Sequence, residues 1–162
     1  MPKRLYAPVF GPGEELHSDP PSDWKVKDFG TNLCIYYVGS PGEVSERLWL
    51  RGNWHFRESS AVNPRVNVKK QGGKPQRYSD RYSVYTYKSG AESVVECRAK
   101  HEPKLVGNEK VPDRFTLSLD VPYSLFDGRE KGTAHKVLGK LMLAVAEGVA
   151  DELPCAEPVR NG

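Results

Sequence analysis

Residues 114 to 121, RFTLSLDV, alternate: Phe115, Leu117, Leu119 and Val121 are apolar, and Arg114, Thr116, Ser118 and Asp120 are polar. A period of two marks a strand with one buried face. Pro122 ends it, because proline gives no N–H to a ladder. Similar texture recurs upstream. NLCIYYVG (32–39) is a β-branched and aromatic run closed by the turn signal SPGE, and RLWLRGNWHF (47–56) is a second strand candidate with Gly52 as a bulge position. RVNVKK (65–70) alternates until QGGKP breaks it. RYSVYTY (81–87) and ESVVECRAK (92–100) are joined by KSGA, whose Ser-Gly pair suits a hairpin turn. A long polar loop, HEPKLVGNEKVPD (101–113), precedes the alternating strand. The strands follow one another with no helical spacing between them, which predicts an antiparallel meander of about five to seven strands over 32–122.

After Phe126 the rhythm changes. Val137, Leu138, Leu141, Met142, Val145 and Val149 recur at i, i+3, i+4 and i+7, with Lys136, Lys140, Glu147 and Asp151 elsewhere. This predicts an amphipathic helix over 131–153, with Thr133 as N-cap and Pro154 as its end. CAEPVRNG after it reads as a turn or a brief second helix. The first 30 residues hold five prolines and no sustained period, so an irregular arm or hairpin is expected, with one short strand near Leu5 to Phe10. The whole reads as one α+β domain, residues 1–162: a meander sheet followed by a C-terminal helix.

Composition adds a constraint. Only 38% of residues are hydrophobic and mean hydropathy is −0.62, yet there are 16 aromatic residues, which argues for a folded chain. One helical stripe covers less area than a broad sheet presents. Leaving several hundred Å² wet would forfeit on the order of 10 kcal/mol at roughly 25 cal/mol per Å². A second copy supplying its helix is therefore expected, giving an interlocked homodimer. Its interface would hold Phe115, Leu117 and Leu119 from the strand and Val137, Leu138, Leu141, Met142 and Val145 from the helix. No run approaches the roughly 18 apolar residues of a membrane span. Met1-Pro2-Lys3-Arg4 is not followed by the apolar stretch of a signal peptide. A soluble protein made in a cytoplasm is expected, without a membrane partner.

Net charge is +3, but residues 65–104 carry ten Lys or Arg against four acids, a net +6, so the remainder carries −3. Such asymmetry suits a surface that meets a polyanion. The hairpin offers Arg81, Tyr82, Tyr85, Tyr87 and Lys88, cations mixed with rings, which contact phosphates and stack on unpaired bases. The parity of 82–88 is left open by the sequence. No catalytic constellation emerges. His17, His55, His101 and His135 are scattered, HEP at 101–103 lacks the second histidine of a zinc-protease helix, and GREKGT (128–133) lacks the ending of a phosphate loop. Cys34, Cys97 and Cys155 match no zinc or redox spacing and read as buried or incidental thiols. In a many-copy assembly Cys155 would be placed to bridge subunits. No enzyme, metal or cofactor is expected.

The ordered set YSVYTYKSGAESVVECRAKHEPK, LVGNEKVPD, RFTLSLDVPYSLF and HKVLGKLMLAVAEGV, covering about residues 80 to 152, resembles the coat proteins of single-stranded RNA bacteriophages of the levivirus type. The resemblance implies an interlocked homodimer with a continuous sheet, and dimers that build an icosahedral virion shell assembled in the bacterial host's cytoplasm. It also implies binding of a genomic RNA hairpin, for packaging and for repression of replicase translation, on the inner sheet face. Arg98, Lys100, Arg114 and Thr116 would then face RNA, Tyr85 and Tyr87 would stack, and loop 104–113 would gather at symmetry axes. The chain is longer than typical members, and its N-terminal half matches only in strand character. The competing expectation is a small bacterial immunity protein or other protein-binding α+β module.

Overall fold

The computed structural model describes residues 3–10, 16–18, 32–38, 46–100, 111–130 and 132–156. In chain order these form α1 (Lys3–Phe10), β1 (Leu16–Ser18), β2 (Asn32–Val38), β3 (Glu46–His55), α2 (Pro64–Lys70), β4 (Gln76–Ser79), β5 (Val84–Tyr87), β6 (Gly90–Glu96), β7 (Arg114–Asp120) and α3 (Thr133–Glu152). Short 3-10 turns lie at Ser60–Val62, Arg81–Ser83 and Tyr123–Phe126. The strands make one seven-stranded sheet with antiparallel neighbours throughout. An antiparallel sheet with a C-terminal helix is thus present.

The strand order is β1-β2-β3-β7-β6-β5-β4. It is two meanders, not the single one expected. After β3 the segment carrying α2 crosses the sheet and delivers β4 to the far edge. β5, β6 and β7 then walk back, and β7 fills the place beside β3, in register from Trp49↔Asp120 to His55↔Arg114.

The crossing segment explains one misread run. RVNVKK alternates as written, but Asn63 caps it, accepting from the Val66 N–H, and Pro64 occupies the first turn. Pro64 and Val68, four apart, are the residues it buries, so 64–70 is a helix and not a strand. α1 replaces the expected strand at Leu5 to Phe10 for a similar reason. Tyr6, Val9 and Phe10 lie at i, i+3 and i+4 and all enter the core. Arg129 donates from its two terminal nitrogens to the Pro8 and Val9 carbonyls at 2.8 and 2.9 Å, meeting acceptors that a helix end leaves free.

One sheet face carries Leu48, Leu50, Ala91, Val95, Phe115, Leu117 and Leu119, all buried beneath α1 and α3. Trp54 packs edge-on against Phe115, ring centroids 5.1 Å apart. The single chain supplies both helices of this layer. Of the residues expected at a dimer interface, Phe115, Leu117, Leu119, Leu138, Leu141 and Met142 have no exposed area in the single chain, and only Val137 and Val145 are half-buried.

Two further corrections concern α3. Its N-cap is Gly132, in the left-handed region with φ 90°, and not Thr133, which is the first helical residue. Past its end, Cys155 is bonded to Cys97 within the chain, so neither is an incidental thiol and Cys155 is not left to bridge subunits. The bond ties 153–156 to the strand end. Ala99 bridges Cys155, the Lys100 N–H donates to the Pro154 carbonyl at 2.8 Å, and the Ala156 N–H donates to the Arg98 carbonyl at 2.7 Å.

Candidate functional site

Residues 64–79, PRVNVKKQGGKPQRYS, contain five cations and no acid. The fold lays α2 and the glycine turn over the second sheet face and returns the segment to the sheet as its edge strand β4. Arg65, Lys69, Lys70, Lys74 and Arg77 are all exposed, while Pro64 and Val68 anchor the helix beneath them. Arg77 pairs with Asp80 across the strand end. Among the described residues the other four have no ion-pair partner. The positive charge anticipated in the middle third is therefore real surface, but it stands on the layer that covers the sheet.

Under that layer the sheet face is polar. The register Tyr85↔Glu92 and Tyr87↔Gly90 fixes the parity that sequence left open, with Lys88-Ser89 as the turn. Tyr85 and Tyr87 thereby share a face with Glu92, Thr116 and Asp120. The Tyr87 hydroxyl donates to Asp120 Oδ1. Burial first, and that bond next, push its phenol above the ordinary range. Its ring lies across Gly90, where a Cβ would collide with the ring and with the Leu119 carbonyl oxygen. Glu92 is 2% exposed, and Gln71 Nε2 donates to its Oε1 at 3.0 Å. Burial raises its carboxyl to about 7, against hydrogen bonds from Ser118, Gln71 and Asn67 that favour the carboxylate.

The residues expected to face RNA are dispersed. Thr116 is buried, its hydroxyl 3.4 Å from the Asn53 carbonyl. Arg114 has a side chain only 12% exposed, paired with Glu96 at 3.2 Å and Asp113 at 3.5 Å. Arg81 lies on the α3 side, 2.7 Å from Glu147. Lys88 sits at the hairpin tip, while Arg98 and Lys100 stand exposed beyond the opposite end of β6. The seven extended residues of β6 separate Lys88 from Arg98, about 23 Å at ~3.3 Å each. Only Tyr85, Tyr87, Arg114 and Thr116 share a face, and α2 partly covers it. Most of loop 104–113 and of the N-terminal arm lies outside the described residues.

Where the glycine turn meets the hairpin tip and the start of α3, a cleft of about 470 Å³ opens. Its walls include Gln71, Lys74, Tyr87, Lys88, Tyr123 and His135, and among the described residues no acidic side chain lines it. Tyr123 is 64% exposed, and Lys88 Nζ lies 3.8 Å from its ring centroid while reaching Asp127 at 2.6 Å. The Asp127 pair raises the Lys88 ammonium above its ordinary value. His135 is held from behind, its Nδ1 2.6 Å from Thr86 Oγ1 and its ring edge-on to Tyr78. Sequence reasoning singled out Lys88 and Tyr87 here but not Tyr123 or His135. Tyr123 follows the strand-ending Pro122, and that position was the only signal available.

Among the described residues, no group of three metal-ligating side chains assembles, and no helix is long and apolar enough to cross a membrane. Comparison with family models, with curated proteins and with solved structures returned no match.

Proposed function

We propose that this protein binds single-stranded RNA through the basic layer of α2, the glycine turn and β4. The observation that carries this reading is the run 64–79, with five cations, no acid, and all five side chains at the surface. Flexible cations spaced along an exposed layer attract a phosphate backbone by charge and by counterion release, without a fixed sequence preference. Tyr123 and Lys88 at the end of that layer add a ring and a cation to the same surface. The resemblance to RNA phage coat proteins points to the same partner and adds self-assembly into a shell. The antiparallel sheet with its C-terminal helix supports that addition.

Fluorescence anisotropy with a labelled single-stranded RNA oligomer tests the reading. Binding should weaken linearly in log–log form with salt. Replacing Arg65, Lys69 and Lys70 together by Gln should flatten the slope by about 2, at roughly 0.7 per phosphate contact. Absence of RNA binding at low salt, or a slope the triple variant leaves unchanged, would sink it. Light scattering on the same sample separates shells from dimers and monomers. Co-purification with one protein and no nucleic acid would favour the protein-binding module instead.

A further inference from the structure

We infer that the cleft between the glycine turn, the hairpin tip and the start of α3 is a nucleotide site, taking a phosphate on Lys74 and Lys88 and a base ring on Tyr123. The inference rests on the proposed RNA reading in that Lys74, Lys88 and Tyr123 belong to both surfaces. The cleft has its own grounds. Its volume of about 470 Å³ falls in the range of small-molecule sites, and its lining among the described residues holds two ammonium groups and an imidazole with no carboxylate. An enclosure of that charge attracts an anion. Asp127 meets Lys88 from outside the lining, which leaves Lys74 as the cation without an ion-pair partner among the described residues.

The aromatic wall narrows the anion to one that carries a ring. Tyr123 stays 64% exposed even with Lys88 over one ring face. An exposed tyrosine ring beside two lysines suits a base and its phosphate better than it suits a bare oxyanion. The site is also built rather than incidental. His135 is fixed by Thr86 and Tyr78, and Tyr87 is fixed by Asp120, so two walls are held before any ligand arrives. At Gly73, a Cβ would press on Tyr87 and Val68 at 2.9 and 3.0 Å, so the turn approaches the hairpin as closely as it does only with glycine there. Two sources offer this chemistry: a free nucleotide, and one unpaired nucleotide of a bound strand.

The test is titration of the intact protein with 5′-AMP, 5′-UMP, adenosine and inorganic phosphate, followed by calorimetry or amide chemical shifts. At least one nucleotide should bind saturably and about tenfold more tightly than adenosine or phosphate. Lys74→Gln and Tyr123→Ala, both at exposed positions, should each weaken it by about fivefold or more, the low end of what one stacked base is worth. Lys140→Gln, exposed on α3 and outside the cleft, should not. A labelled oligonucleotide is the second arm. If Tyr123→Ala weakens it too, the ligand is a nucleotide of the strand; if only the free nucleotide suffers, the ligand is free. No saturable binding up to about 10 mM, equal affinity for nucleotide and phosphate, or indifference to both cleft variants overturns the inference. RNA binding that responds to the α2 triple variant while nucleotide binding is absent would remove the cleft and leave the RNA reading standing. Nucleotide binding without RNA binding would do the reverse.

Discussion

The two faces of the sheet are built from the same strands and end up as different materials. Towards α3, β6 and β7 present Ala91, Val95, Phe115, Leu117 and Leu119, a dry layer closed by helix side chains. Towards α2, the alternate residues of those strands include Val94 and, beside it, Glu92, Thr116, Ser118 and Asp120, which are tied into hydrogen bonds instead. Alternation in a strand is usually taken to mean buried against wet. Here it separates a core held by packing from a second layer held by polar pairing, because α2 lies where solvent was expected. Burial of this kind is tolerable only while each polar group keeps its partner.

The contrast can be broken most sharply at adjacent positions on β7. Leu117→Ala should cost about 3–4 kcal/mol, the lost transfer energy plus a cavity. Ser118→Ala should cost about 1 kcal/mol, the value of one hydrogen bond to Glu92. Chemical denaturation of the two variants reads the difference, and equal losses would mean that the faces are not energetically distinct.

The Cys97–Cys155 bond holds the strand end on the α3 side and closes a loop of 58 residues' separation. Chain entropy makes such a loop worth about 4 kcal/mol. Reduction, or Cys155→Ser, should lower the denaturant midpoint accordingly, while the oxidised protein is unaffected by mild handling. Disulfides persist in oxidising surroundings, so the protein should be markedly less stable in a reducing cytoplasm than outside one.

Glu92 probes the polar face. Its folded value of about 7 lies above the ordinary 4.5, so between those values the folded state holds a proton that the unfolded chain has released. Stability should therefore fall as pH rises from about 4.5 to about 7 and then level off, by up to ~3 kcal/mol. Glu92→Gln should flatten that profile and stabilise the protein at pH 8. Thermal unfolding across pH would refute the account if the wild type and variant ran parallel.

The smallest effects lie within α3, on its inner and outer sides. At Gly139 a new Cβ would run into the Tyr78 ring, whereas at Gly148 nothing lies within 4 Å. Gly148→Ala should stabilise by about 0.5–1 kcal/mol through helix propensity. Gly139→Ala should lose that gain to overlap and destabilise by about 1–2 kcal/mol. Calorimetric midpoints moving in opposite directions would confirm which side of the helix faces the sheet.

Local pattern determined a good deal of this protein. The alternation of 114–121 and the helical spacing from Val137 to Val149 became the strand and the helix they suggested, and the cations of 65–77 stand exposed. These are short-range properties, fixed by side-chain periods of 2 and 3.6 and by composition. Tertiary structure decided most of the rest. RVNVKK became a helix because a local cap, Asn63 with Pro64, was joined by burial of Val68, which only the fold supplies. Where β7 inserts, which cysteines meet, and which parity of the tyrosine hairpin is covered all depend on contacts tens of residues apart. No local period encodes those contacts. The cleft is the clearest instance: Lys74, Lys88, Tyr123 and His135 come from four separate segments, and only the crossing of the chain over its own sheet brings them to one place.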